Sequence, residues 1–422
     1  MDRVIVVGGG LAGLATSAIL ARRGVPVRCL EAGPQLGGRA RTRQVDPGYD
    51  LNLGPHALAR SGPGTALLRE LGVALDGGSP PLHRTRLLVD GEVVGPFRRA
   101  GGAGGVRTLP AFTRLVRDAK RGDPDGSVAD WLAATVPDRR VRSTLTPVLR
   151  LATYSDGLDQ IAADVAAESL RQGGVIYLDG GWRRLIQQLR TIAVRAGAEV
   201  SATAPVRGLG SGADGIDVRL ADDHVQRAAA VVLAVGGPAE AASVLPAAAA
   251  AHLREHADRI RPVRMATLDV ALTEPPAMPP LVFGTDEPWY LSVHSEAADL
   301  APAGGSVLHV ARFLTPGERA PVDTRDQLRA LLDRTAPGWR HRVVDERFLP
   351  ELTVTHDGGT VASGGRRGRH PVTLAEAPGV FVAGDWVGST GTLAQATLAS
   401  AKVAAARVVT HVRGRDTERV DA

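Results

Sequence analysis

Val4-Ile5-Val6-Val7-Gly8-Gly9-Gly10-Leu11-Ala12-Gly13 is the stretch whose reading decides the fold. The apolar run Val4–Val7 has the look of a short strand buried on both faces, as in a parallel sheet. Leu11 to Arg23 is rich in Ala and Leu and stops at Gly24, so it reads as a helix with a glycine ending. Between strand and helix the glycines fit G-x-G-x-x-G. Gly8 permits the tight turn, Gly10 lets a diphosphate approach the backbone, and Gly13 lets the helix lie close on the strand. Leu11 and Ala12 open that helix, whose N-terminal N–H groups and partial positive charge favour an anion. Pro26 to Glu31 supplies a second strand. Glu31 at its end, followed by Ala32, is placed to accept hydrogen bonds from ribose hydroxyls. The expectation is a dinucleotide site; the turn alone does not separate NAD from FAD.

Working outward, Gly64–Leu71, Pro110–Arg121 and Val128–Ala134 carry helical patterns, with a hairpin at Asp90-Gly91. Val200 to Val235 returns to short strands and ends in the apolar run Ala229–Val235. Met265–Leu272, Trp289–His294 and Val307–Arg312 are strand candidates, and Arg325–Arg334 a helix. Gly379 to Val409 reads as strand, tight loop and Ala-rich helix, with a polar, frayed tail after Arg413. The 422 residues give room for two domains or one domain with a sizeable insertion. A composition 44% hydrophobic and 23% charged is that of an ordinary globular protein. The net charge of +5 comes without a like-charge run or basic–aromatic interleaving, which argues against nucleic-acid binding. Cys29 is the only cysteine, so internal disulfides and Cys-rich metal sites are excluded; it reads as a core residue. The apolar start lacks a basic leader and a cleavage site, and no run reaches the length of a membrane span. The expected location is cytoplasmic.

Glu31-Ala32-Gly33-Pro34-Gln35-Leu36-Gly37-Gly38-Arg39-Ala40-Arg41-Thr42 resembles the Glu-Ala-x4-Gly-Gly-Arg-x-x-Thr signature of the flavin amine oxidase and phytoene desaturase superfamily. Physically, paired glycines followed by a fixed cation form a second cradle for diphosphate. The resemblance implies FAD and brings Gly38, Arg39 and Thr42 into its site. Asp50–Ala57, with Gly54, Pro55, His56 and Ala57, resembles the stretch that runs beside the isoalloxazine ring. Tyr177–Trp182 resembles the Gly-Gly turn that re-enters the nucleotide domain, and Val206 the position whose backbone meets adenine. Val380–Trp386 resembles the C-terminal Ala-Gly-Asp motif, in which Gly384 and Asp385 meet the ribityl or diphosphate portion. Thr392, Leu393 and Ala394 open the last helix, whose N-terminus the resemblance aims at the pyrimidine end of the flavin.

His56 is the one catalytic candidate; it could orient substrate or shuttle a proton, or simply cap the turn after Gly54-Pro55. Trp386 reads as a core residue, and Tyr290 and His294 share one face of their strand. The amine oxidases of the superfamily hold their substrate in an aromatic cage, one position of which is Leu393 here. They also use a mid-chain lysine near the flavin, but only Lys120 and Lys402 exist in this chain. No cysteine precedes the last helix for covalent attachment, and Ala-Gly-Asp-Trp leans to the desaturase-like branch.

The expected fold is α/β: a doubly wound, Rossmann-like FAD-binding domain assembled from residues 1–57, 178–245 and 352–422. Residues 58–177 and 246–351 then form an inserted α+β substrate domain. The expected function is hydride abstraction from a C–H bond of a mainly apolar small molecule onto N5 of non-covalent FAD. An amine oxidase with an atypical cage, a flavin-dependent isomerase and a non-catalytic flavoprotein subunit are the alternatives. The electron acceptor, oxygen or a quinone, is left open. Leu109, Phe112, Leu115 and Val116 form an apolar stripe flanked by Arg114, Arg117, Lys120 and Arg121. Packing of this stripe onto the protein is preferred over peripheral membrane contact.

Overall fold

In the computed structural model, which describes residues 3–95, 103–212 and 215–420, the opening β-α-β unit forms as its pattern dictates. The strand Val4–Val7 is wholly buried and leads through the glycine turn into the helix Leu11–Arg22. Val27–Leu30 returns parallel beside it. Three more parallel strands complete a five-stranded sheet in the order 199–201, 27–30, 4–7, 230–233, 380–382. Its strands thus come from the beginning, middle and end of the chain. The helices Gly181–Arg195 and Leu393–Val420 pack beside Leu11–Arg22. The same core takes in Leu209, Ile216, Val218 and Leu220 of an antiparallel meander.

A seven-stranded sheet forms the second layer, in the order Val343–Thr355, Val263–Leu272, Ser306–Phe313, Trp289–Val293, Leu281–Gly284, Thr85–Val89, Glu92–Val94. Strand alternation divides its two faces. Leu268, Val270, Leu272, Leu308 and Val310 point to the helix Thr324–Thr335, where Leu328, Leu331 and Leu332 close a dry core. Met265, Thr267, Asp269 and Ala271 alternate with that set and belong to the opposite face. The Asp90-Gly91 turn has φ of 49° and 83°, the paired positive angles of a two-residue hairpin turn.

Two elements depart from expectation. The strand Val343–Thr355 is an edge strand with charged residues and Pro350, so it lacks the alternating pattern that marks a strand in sequence. Register shifts on its pairing with Val263–Leu272 accommodate the proline region. The chain after Arg413 continues the last helix to Val420 in place of a frayed tail. Among the described residues no helix is long and apolar enough to cross a membrane.

The stripe on the helix Ala103–Arg121 turns inward. Leu115 and Ala119 are buried, and Phe112 packs with them against the helices Val128–Thr135, Arg139–Thr153 and Ala163–Arg171. Leu109, at 67% exposure, stands outside this packing.

Candidate functional site

The glycine turn is tight because backbone meets backbone. A Cβ on Gly8, at φ +105°, would lie 2.4 Å from the Ala234 carbonyl oxygen. One on Gly13 would lie 1.8 Å from the Gly8 oxygen, so the helix sits directly on the turn. Gly10 caps that helix without a side-chain hydrogen bond, and its first turn, with Leu11 and Ala12, contains no acid. Unpaired N–H groups and the positive helix end are therefore left for an anion. A second glycine loop closes on the first: Gly37 N–H donates to the Gly9 oxygen at 2.9 Å, and Gly38 is exposed beside Gly10.

Glu31 binds across the same turn, accepting from Gly9 N–H and from Gly33 N–H, both at 2.8 Å. Its carboxylate keeps lone pairs for a ribose hydroxyl. Ala32 is exposed. The segment ahead of Val206 lies alongside, since Ala204 N–H donates to the main-chain carbonyl oxygen of Glu31 and Thr203 N–H to that of Gly33.

Arg39 and Asp385, 346 positions apart, meet at 2.8 Å. Arg39 also donates to the Val354 oxygen, and His356 gives Asp385 its backbone N–H and Nδ1–H, each at 3.2 Å. Asp385 is 1% exposed. Burial alone would raise its pKa, but Arg39 and His356 outweigh that and hold it far below the carboxylate range. Gly384 is pinned by Ser400 through its N–H. Thr42 acts on the scaffold: its hydroxyl donates to Asn52 and accepts from Arg183 N–H. Thr392 likewise bonds Ser169 and Gln172. Leu393 takes φ +51°, a left-handed angle costly for a residue with a Cβ, and with half-buried Ala394 starts the last helix.

Gly54, at φ +75°, donates its N–H to Asp269 at 3.2 Å. Pro55 is buried; His56 and Ala57 are half-buried. His56 sets its ring edgewise on Trp182 at 4.9 Å, and its Nδ1 lies 3.4 Å from the Gly54 oxygen. Desolvation lowers its pKa to about 4, so it is neutral at neutral pH.

Beside this loop stands a polar row that sequence reasoning missed. Asp269, fully buried, accepts from His309 Nδ1–H at 2.7 Å, Arg347 at 2.6 Å and Thr267 at 3.0 Å. Burial opposes its ionisation, yet His309 and Arg347 prevail and its pKa is lowered. Tyr290 and His294 border the row: His294 stacks on Tyr177 at 3.8 Å, and the Tyr177 and Tyr290 hydroxyls are 3.2 Å apart. Lys402 is paired with Glu70 on the surface and Lys120 is exposed, so neither lysine belongs to the row. Cys29 lies inside the parallel sheet, its thiol pushed up to about 12 by burial.

The family model for flavin containing amine oxidoreductase matches residues 11–409. The chain belongs to this family. It is an FAD-dependent oxidoreductase, and its glycine cradle, uncapped helix end and Arg39–Asp385 pair fit that cofactor. An L-amino-acid oxidase from Demansia vestigiata is 47% identical over 57 residues, which cover 13% of this chain and 11% of that protein. An oxidoreductase structure from Methanosarcina mazei superposes with a TM-score of 0.74 at 18% identity, covering 95% of this chain and 99% of that one. Cyclohexylamine oxidase from Brevibacterium oxydans gives 0.69 at 17% identity, covering 98% and 99%. These structures share the fold.

Removing Asp385 from this oxidoreductase deletes a charge-assisted acceptor, a loss of about 1.5–3 kcal/mol. Asp385→Ala is therefore expected to lose more flavin on gel filtration than His56→Ala. Equal loss in both would show that the two roles are misassigned.

Trp386 is a core residue, donating Nε1–H to the Gly236 oxygen, and His256 and His370 pack around it. Burial lowers the pKa of both, to about 4 for His256, as it does for His56 and His294. Unfolded histidines bind protons from about pH 6.5 downward, whereas these do so only at lower pH. The unfolded chain then binds more protons, so stability present above pH 6.5 is lost as pH falls towards 4. Asp357, raised to about 6 by burial, and Asp164, also raised by burial, have the opposite sign but are two groups against four. Tm should drop between pH 6.5 and 4, and His256→Phe should flatten the drop. A Tm that rises on acidification would contradict the burial of these rings.

Proposed function

We propose that this oxidoreductase removes hydride from a C–H bond of a mainly apolar small molecule, using a non-covalently held FAD. One observation carries the substrate class. On the sheet face beside Gly54–Ala57 the buried carboxylate, Asp269, is already neutralised by Arg347. Apart from the uncharged Thr267 and Ser292 and the ring of His309, which is bonded to Asp269, the rest of that face, including Met265, Phe283, Tyr290 and Phe313, is apolar or aromatic. A substrate ammonium would find no free counter-charge there, and desolvating it without one is costly. The sole cysteine is locked inside the sheet, which supports non-covalent binding.

When bound, FAD supplies the two-electron acceptor at N5. The chain supplies binding and orientation. Residues 1–57, 178–245 and 352–422 would serve the cofactor, and 58–177 and 246–351 the substrate. Leu11 and Ala12 N–H groups, Gly10, Gly38 and Arg39 would hold the diphosphate, Glu31 a ribose, and Val206 the adenine. Gly384 and Asp385 would hold the ribityl portion, and the Thr392–Ala394 helix start the pyrimidine end.

An anaerobic screen that reads loss of the yellow flavin band tests this. Apolar compounds with an activated C–H bond should bleach the flavin. Bleaching only by small polar amines would overturn the substrate class.

A further inference from the structure

We propose that His309 is the proton acceptor of the oxidation, with Asp269 as its positioning residue. This rests on the hydride-transfer reading above. Cross-strand register sets the row: Asp269 lies opposite both Arg347 and His309, and His309 opposite Ser292. All four therefore share one sheet face. Asp269 takes the Nδ1–H of His309 at 2.7 Å, which leaves Nε2 as the basic lone pair. That Nε2 is buried and has no hydrogen-bond partner among the described residues, nor has either ring nitrogen of His294, whose ring centre is 4.4 Å away.

Buried polar atoms are almost always paired, so three orphaned ring nitrogens in one place mark a polar site, in which His309 Nε2 and the bare nitrogen of His294 take a donor and the N–H of neutral His294 needs an acceptor. The row is tied to the loop bearing His56, because the second Asp269 oxygen holds Gly54 N–H. The other groups facing it are Tyr177, Tyr290 and Ser292, joined through their hydroxyls, and the Arg347 guanidinium. Neither the tyrosines, which burial pushes upward, nor the Arg347 guanidinium is a free base, and the neutral rings of His56 and His294, unlike His309, have no carboxylate partner to stabilise an imidazolium.

The chemistry needs such a base. When a C–H bond breaks and its electron pair leaves as hydride to FAD, the oxidant, the carbon is left electron-deficient. A neutral double bond forms when the adjacent O–H, N–H or C–H bond breaks and its electron pair becomes the second bond. The proton released goes to His309 Nε2, and Asp269 stabilises the imidazolium. The substrate class is narrowed accordingly, to molecules with a removable proton next to the oxidised carbon.

The test uses 15N-histidine-labelled holoenzyme. Two-bond proton–nitrogen correlation at pH 7.5 should show His309 protonated at Nδ1 and bare at Nε2, assigned by loss of the signal in His309→Gln. Asp269→Asn should mix the tautomers. With a compound that bleaches the wild-type flavin, His309→Gln should slow anaerobic reduction about 100-fold or more. Added imidazole should partly restore it, while dithionite reduces both proteins equally. A wild-type Nε2 that carries the proton, or bleaching in His309→Gln within threefold of wild type, overturns the proposal. Failure of every compound to bleach wild type overturns the hydride-transfer reading itself, and this proposal with it.

Discussion

Asp269→Ala is expected to lower folding stability by about 3–5 kcal/mol, the usual cost of deleting one partner of a buried ion pair. The side chain of Arg347 is only 15% exposed, so its charge cannot turn fully to water once Asp269 is gone. His309, Thr267 and the Gly54 N–H lose their acceptor in the same step. Asp269→Asn keeps one acceptor oxygen and the volume, and should lose about half as much. Urea midpoints of the three proteins check the order. A loss under about 1 kcal/mol for Asp269→Ala would show that the row contributes little to holding the sheet against the 53–57 loop.

Gly13→Ala and Gly10→Ala should separate folding from cofactor binding. The added methyl at Gly13 falls 1.8 Å from a backbone oxygen, which no rotamer change can relieve. Overpacking costs of 1–3 kcal/mol are typical, and a clash with backbone belongs at or above the upper end, about 3 kcal/mol. At Gly10 the nearest atom to the added methyl is the Gly37 oxygen at 3.8 Å, and φ is −82°, which alanine adopts freely. Gly10→Ala should therefore keep its urea midpoint yet lose flavin affinity by more than tenfold if the diphosphate approaches Gly10 as proposed. Unchanged flavin affinity in Gly10→Ala would remove this turn from the cofactor site.

What could be read from the sequence was local. The turn, its helix and Glu31 lie within one β-α-β unit, where spacing alone determines who meets whom. Arg39 and Asp385 are 346 positions apart, yet each sits in a short motif with its own signature. The Asp269 row has none. Its members lie 40 and 78 positions from Asp269, on strands whose register is set by the whole sheet. A lone Asp or His in an apolar run, or an Arg beside Asp345-Glu346 in a charged one, looks the same whether it pairs or not. The strand Val343–Thr355 was hidden for a related reason: an edge strand carries charge and a proline, and so loses the alternation that reveals inner strands. His356 escaped because nothing in His356-Asp357-Gly358-Gly359 points to a carboxylate 29 positions later.

Central to the proposed function is one FAD held without a covalent bond by the glycine cradle and the Arg39–Asp385 pair. Acid precipitation of the purified protein, followed by chromatography of the supernatant, measures this directly. All the flavin should be recovered as FAD in the supernatant, in equimolar ratio to the chain. FMN, no flavin, or yellow colour retained in the pellet would contradict it.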